Sequence, residues 1–149
     1  MNDMRAQGFT LVELLVVLVI LALVLALLPP FLAGGQARAE LQSATGELAA
    51  ALRETRSRAI HDGKTAIFIV DGAHGTFGVL AADAPLRRLS KGFRLGLLAP
   101  RDQTLEPGRG IIRFFADGSS TGGVVRLLRG ERQADVAIDW LTGRVALAP

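Results

Sequence analysis

The chain has 149 residues, 17 Lys and Arg against 14 Asp and Glu, and a mean hydropathy of +0.36, which leaves room for about one domain and not for a two-domain enzyme. With no cysteine there is no disulfide framework, thiolate zinc site or cysteine nucleophile, and with two histidines, His61 and His74, there is little for a His-based metal centre; no cofactor is expected. A net charge of +3 spread along the whole length is weak evidence for nucleic acid, and the local positive bias of Arg87, Arg88, Lys91, Arg94 and Arg101, with no interleaved aromatic except Phe93, reads as a solvated basic loop, so nucleic acid is not an expected partner.

The hydrophobic excess is concentrated in Phe9–Ala33. From Leu14 to Ala37 no side chain is charged, a stretch of 24 residues against the roughly 20 needed to cross a bilayer core of about 30 Å, so a single-pass membrane segment is expected. Glu13 is the anomaly. A carboxylate within a membrane helix costs on the order of 2.5–3.5 kcal/mol at the bilayer centre and less near an end, so it needs a partner or a helix amino terminus beside it. A conventional secretory signal cut near Ala39 competes with this reading, but Glu13 breaks the start of its apolar region and Arg38 falls inside its cleavage tripeptide.

Gln7-Gly8-Phe9-Thr10-Leu11-Val12-Glu13-Leu14-Leu15 is a short polar leader ending in Gly, then Phe, then a Glu as the fifth residue counted from Phe9. It resembles the type III signal of type IV pilins and type II secretion pseudopilins. The resemblance implies that a prepilin peptidase cuts after Gly8, that Phe9 is then N-methylated, and that Glu13 docks the subunit into a growing filament by pairing with a neighbour's terminal amine. Pairing an ammonium with a carboxylate between subunits would remove two charges from apolar surroundings together.

Pro29-Pro30 lacks two amide donors, so the helix should kink there. After Gly34-Gly35 the pattern becomes amphipathic: Leu41, Leu48, Leu52 and Ala59/Ile60 recur at helical spacing, with Ala44, Ala51 and Thr55 on the same stripe. His61-Asp62-Gly63 reads as the helix end, with Gly63 at the first position beyond it and His61 solvated or capping.

Beyond Gly63, short apolar runs alternate with turn dipeptides. Ala66–Val70, Thr76–Leu80, Phe93–Leu98, Ile111–Phe115, Val124–Arg129, Val136–Trp140 and Arg144–Leu147 are expected strands, forming an antiparallel sheet or small sandwich against the stem. Ala81–Gly92 and Ala99–Gly110, rich in proline and charge, are expected to be surface loops. Gly118-Ser119-Ser120-Thr121-Gly122 matches the nucleophile-elbow pattern, which needs a strand, a sharp turn and a helix, whereas both flanks here read as strands and no histidine follows His74; a hairpin is expected instead. Gly63-Lys64-Thr65 resembles the end of a phosphate-binding loop, but Arg58 stands where that motif needs glycine. The chain is not expected to be an enzyme.

Ala59-Ile60, the run from Phe114 to Gly123, and the run from Ile138 to Val145 resemble the GspH/FimT group of minor pilin-like proteins. Read locally, the two longer runs are hairpins with Trp140 as a core aromatic. The resemblance implies an α+β, pilin-like fold: a leader over residues 1–8, a transmembrane and filament-core helix over 9–33, an amphipathic stem over 34–62 and an antiparallel periplasmic β domain over 63–149. It also implies a minor pseudopilin of type II secretion at the pseudopilus tip, held in the inner membrane before assembly. Its partners would be other minor and major pseudopilins, prepilin peptidase and the inner-membrane assembly platform. Two alternatives remain: a FimT-like minor pilin for DNA uptake or pilus assembly, which the single Arg144 in the tail argues against, and a signal-anchored hydrolase using Ser120.

Overall fold

A computed structural model describes residues 10–81, 84–99, 104–106 and 108–148, with the side chains of residues 26–34 and 104–106 left out. The chain divides into two compact units, one up to Ala37 and one from Arg38 onward.

The first unit is the opening part of a long helix, α1 (Leu11–Asp62). Thr10 caps it: its hydroxyl accepts the Glu13 amide at 3.2 Å and its carbonyl accepts the Leu14 amide at 3.2 Å. From Leu11 to Leu25 the large apolar side chains are all exposed, from Leu11 at 80% to Val16 at 48%. Among the described residues no helix is long and apolar enough to cross a membrane; the span expected over 9–33 includes Phe9 and residues 26–34, which lie outside the described side chains. Helical backbone is assigned through Pro29 and Pro30, and the kink expected there lies outside the described side chains too.

In the second unit the stripe expected from the periodicity is buried: Leu41, Ala44, Leu48, Ala51, Leu52, Thr55 and Ala59 are all covered, whereas Ile60 is exposed. The buried hydroxyls of Thr45 and Thr55 donate to the carbonyls of Leu41 and Ala51 one turn back, so neither is left unpaired. At the helix end Gly63 takes φ +61° and the Lys64 amide reaches back to the Ala59 carbonyl at 3.2 Å, which closes the last turn as a left-handed cap.

Among the described residues nine antiparallel strands follow: β1 (Ala66–Asp71), β2 (Thr76–Val79), β3 (Arg87–Arg88), β4 (Phe93–Leu98), β5 (Thr104–Glu106), β6 (Arg109–Phe114), β7 (Gly123–Arg129), β8 (Arg132–Ile138) and β9 (Val145–Ala148). They form two sheets, one in the order β3-β2-β1-β6-β5 and the other in the order β4-β7-β8-β9. Phe68, Val70, Phe77, Ile112 and Phe114 from the first sheet, Leu95, Val125, Leu127, Val136, Ile138 and Val145 from the second, and the helix stripe make one hydrophobic core. In β7 the alternation is simple, with Val125 and Leu127 inward and Val124, Arg126 and Leu128 on the partly exposed face.

Three expectations are corrected. The stretches expected to be loops contain β3 and β5, which are short strands at the two edges of the first sheet. The Phe114–Gly123 run does turn back on itself, with an antiparallel bridge between Phe114 and Ser120, but it does not join two strands of one sheet: β6 belongs to the first sheet and β7 to the second, and residues 115–122 carry the chain from one to the other. Trp140 is not a core aromatic: it is 66% exposed, because β8 ends at Ile138. Trp140→Ala should therefore change unfolding free energy by no more than about 0.5 kcal/mol, the range of an exposed substitution, as read by urea denaturation of the full chain in detergent.

Candidate functional site

The residues singled out for assembly lie at the amino terminus. Gly8 and Phe9 lie outside the described residues, as do the side chains of Pro29 and Pro30. Glu13 is in the first turn of α1, exposed, with its amide held by the Thr10 hydroxyl. Thr10 and Glu13 have the spacing of a capping box, so the acid also suits the positive end of the helix. Around it, Leu11, Val12, Leu14 and Leu15 present apolar side chains to whatever surrounds this helix.

The three strings that carry the family resemblance meet in the second unit. Arg56, one turn before Ile60 on α1, donates from Nε to the Gly118 carbonyl at 3.0 Å. Gly118 lies in the crossing segment between β6 and β7, where Phe115 accepts its amide and the Asp117 carboxylate accepts the Ser119 amide and hydroxyl at 2.9 and 2.6 Å. Over it closes the β8–β9 loop: Ser120 donates its amide to the Trp140 carbonyl at 2.9 Å, and Gly143 packs directly on the Gly118 carbonyl and the Arg56 guanidinium. Helix, crossing segment and loop are thus clasped through backbone atoms and one arginine.

The loop is itself tightly held. One Asp139 carboxylate oxygen accepts the Thr142 hydroxyl and amide, both at 2.7 Å, and the Gly143 amide returns to the Asp139 carbonyl at 2.8 Å. These bonds hold the Asp139 carboxyl below its ordinary range, the Thr142 hydroxyl contributing most, as the Ser119 hydroxyl and amide do for Asp117. Trp140 and Leu141 are 66% and 63% exposed on this loop, and Arg56, Asp139, Thr142 and Arg144 line a shallow depression in which the Arg144 charge also acts on the Asp139 carboxylate.

Ser120 is no nucleophile elbow. Its side chain is buried, it accepts the Gly122 amide at 2.8 Å and lies 3.3 Å from the Asp139 carbonyl to which it donates, and a strand rather than a helix follows. His61 is exposed in the last turn of α1. His74 contacts Asp71 through both its amide and its ring Nδ1 at 3.0 Å; the amide contributes most to holding the Asp71 carboxyl below its ordinary range, and Arg109 lies 4.0 Å away. No group of metal-ligating side chains occurs among the described residues.

Long-range ion pairs were not visible in the sequence. Arg129 pairs with Glu40 on α1 and lies over the Phe93 ring at 4.7 Å, which ties β7 to both the helix and β4. Arg126 and Asp135, opposite each other on β7 and β8, form a bidentate pair at 2.8 and 2.7 Å that holds the Asp135 carboxyl below its ordinary value of 3.8. A lowered folded-state value means that this contribution is complete above the unfolded value near 3.8 and is lost as pH falls through the folded one. Thermal midpoints of the full chain should therefore hold between pH 7 and 5 and drop below about 4, and Asp135→Asn should flatten that acid limb.

Comparison with known proteins adds to this picture. Residues 3–29 match the prokaryotic N-terminal methylation motif, and residues 44–142 match the family model of type II transport protein GspH. The chain is similar to type II secretion system protein H of Xanthomonas campestris pv. campestris, at 33% identity over 152 residues covering 97% of this chain and 85% of that protein. Its fold is similar to that of the type IV minor pilin FimU of Pseudomonas aeruginosa, with a TM-score of 0.54 at 24% identity over 75% of this chain and 90% of the other. It is also similar to that of the minor pseudopilin EpsH from the type 2 secretion system of Vibrio cholerae, with a TM-score of 0.53 at 15% identity over 73% of this chain and 96% of the other.

Proposed function

The chain belongs to the GspH family of type II transport proteins and is a minor pseudopilin of the type II secretion system, and from that premise we propose that it is a structural subunit at the pseudopilus tip. Prepilin peptidase cuts it after Gly8 and Phe9 becomes the methylated terminus. The segment 9–33 sits in the inner membrane until assembly, and the β domain lies in the periplasm. Other minor and major pseudopilins pack against its stem, and subunits added below by the inner-membrane platform push the tip, and folded cargo with it, toward the outer-membrane channel. The chain itself turns over no substrate.

The observation that carries this reading is the apolar surface of Leu11–Leu25, open on every side and interrupted by a single carboxylate, Glu13. Such a surface suits lipid first and neighbouring stems afterwards. Deleting the chain from its host should trap exported proteins in the periplasm, and the complementing protein should begin at Phe9. Normal secretion without it, or a mature terminus at Met1 or Glu40, would overturn the proposal.

A further inference from the structure

The sequence contains three Asp-Gly steps: Asp62-Gly63, Asp71-Gly72 and Asp117-Gly118. At such a step the backbone can rearrange without an enzyme, because glycine has no side chain to keep its own amide nitrogen from reaching the aspartate carboxyl. The fold guards two of them. Asp71 is buried, its carboxylate accepts the His74 amide and contacts the His74 ring, both at 3.0 Å, and the Gly72 amide is committed to the Gly108 carbonyl at 2.7 Å. A β-carbon on Gly72 would lie 2.3 Å from the Leu95 carbonyl oxygen, so there is no room for a ring to close. Asp117 is exposed, but one of its oxygens accepts the Ser119 amide and hydroxyl, the Gly118 amide donates to the Phe115 carbonyl at 2.9 Å, and the Gly118 carbonyl is held by Arg56. Hydrogen bonds, foremost from the His74 amide at Asp71 and from the Ser119 hydroxyl at Asp117, hold both carboxyls below their ordinary range, so little of either is in the protonated form whose hydroxyl can leave as water.

Asp62-Gly63 has none of this protection. Asp62 is the last residue of α1, it is exposed, and its carboxylate makes no hydrogen bond or ion pair among the described residues. Gly63 is exposed too, with φ +61° and open space where a β-carbon would be, at a helix end, where fraying is ordinary. We propose that Asp62-Gly63 is a site of spontaneous covalent modification, at which the main chain isomerises to isoaspartate. The Gly63 amide nitrogen attacks the side-chain carboxyl carbon of Asp62, the carboxyl hydroxyl and the amide proton depart together as water, and a cyclic succinimide forms. Water then opens the ring. Attack at the side-chain carbonyl restores aspartate, whereas attack at the main-chain carbonyl leaves the chain running through the Asp62 side chain. The mass is unchanged and water is the only co-reactant. The product adds a methylene to the main chain between α1 and β1, directly before Lys64, whose amide closes the helix on the Ala59 carbonyl, so isomerisation uncaps the stem. The inference stands independently of the pseudopilin reading.

The test ages the full chain in detergent at neutral pH and body temperature and follows isoaspartate at each step, by labelling with an isoaspartyl methyltransferase and by fragment-ion mass spectrometry of the peptides. Isoaspartate should accumulate at residue 62 at least about tenfold faster than at 71 or 117. In urea the guards are gone, and the rates at 71 and 117 should rise to within about threefold of that at 62. Ser119→Ala, which removes one guard, should raise the rate at 117 severalfold and leave that at 62 unchanged. Similar rates at all three steps of the folded chain, conversion first at 117, or a rate at 62 that itself rises about tenfold in urea would each overturn the inference.

Discussion

Glu13→Val is expected to leave the chain inserted in the membrane and cut to its mature length, but to remove it from filaments. Removing one member of an ion pair in apolar surroundings strands the other and costs about 3–5 kcal/mol, which corresponds to about a hundredfold or more in subunit association. Insertion should not suffer, since the substitution deletes the one charge that opposes it. A purely local role predicts a different pattern. If Glu13 served only the first turn, where its amide is already held by Thr10, Thr10→Ala would do comparable damage and Glu13→Gln would be harmless. Pairing with a neighbour's terminal ammonium makes Thr10→Ala mild and Glu13→Gln nearly as severe as Val. The measurement is the fraction of processed subunit recovered in sheared filaments, and wild-type recovery of Glu13→Val would end the assembly role.

Gly143→Ala is the substitution in the β domain with the largest expected effect outside the core. Gly143 has φ +62°, and a β-carbon there would sit 2.1 Å from the Gly118 carbonyl and 2.9 Å from Arg56 Nε. The left-handed conformation alone costs an L-residue about 1–2 kcal/mol, and relief of the clash would pull the loop off the crossing segment. A total loss of about 3–4 kcal/mol follows, in the range of a broken backbone constraint. Gly63 has nearly the same φ, +61°, with open space around it, so Gly63→Ala measures the conformational cost by itself. Urea unfolding of the full chain in detergent, followed by circular dichroism, should separate the two variants by about 2 kcal/mol. Equal losses would show that the clasp contributes nothing.

Much of this architecture was legible in the sequence, and the remainder failed for specific reasons. The stripe Leu41, Leu48, Leu52 and Ala59 could be read because helical burial follows a fixed period. The seven longer strands could be read because apolar runs fall between turn dipeptides. β3 and β5 were hidden because edge strands use the charges and short lengths that also mark loops. Residues 115–122 had the strand flanks of a hairpin, but they are longer than the two to five residues hairpins ordinarily use, and that length was the available sign of a crossing. Trp140 is expected in the core as the end of the strand Val136–Trp140, but β8 stops at Ile138, where Asp139, bonding to Thr142, turns the chain outward. Arg56 gave no signal at all, because its partner is a backbone carbonyl of a residue distant in sequence. The site residues at the amino terminus were readable only as a motif, and Glu13 alone of Gly8, Phe9 and Glu13 lies among the described residues.

The two sheets are built alternately. The chain lays down β1 to β3 in the first, starts the second with β4, returns for β5 and β6, and only then supplies β7 to β9. β1 waits for β6 on one side, and β4 waits for β7 before it has any partner. The first sheet is therefore complete only once β6 has emerged and the second only at β9, and each depends on one pairing between distant segments, which forms slowly. A chain stopped before β7 would carry β4 as a bare edge, open to pairing with any neighbour. For a subunit that must meet its neighbours only after its β domain has folded, the last strands decide when the domain becomes safe to assemble.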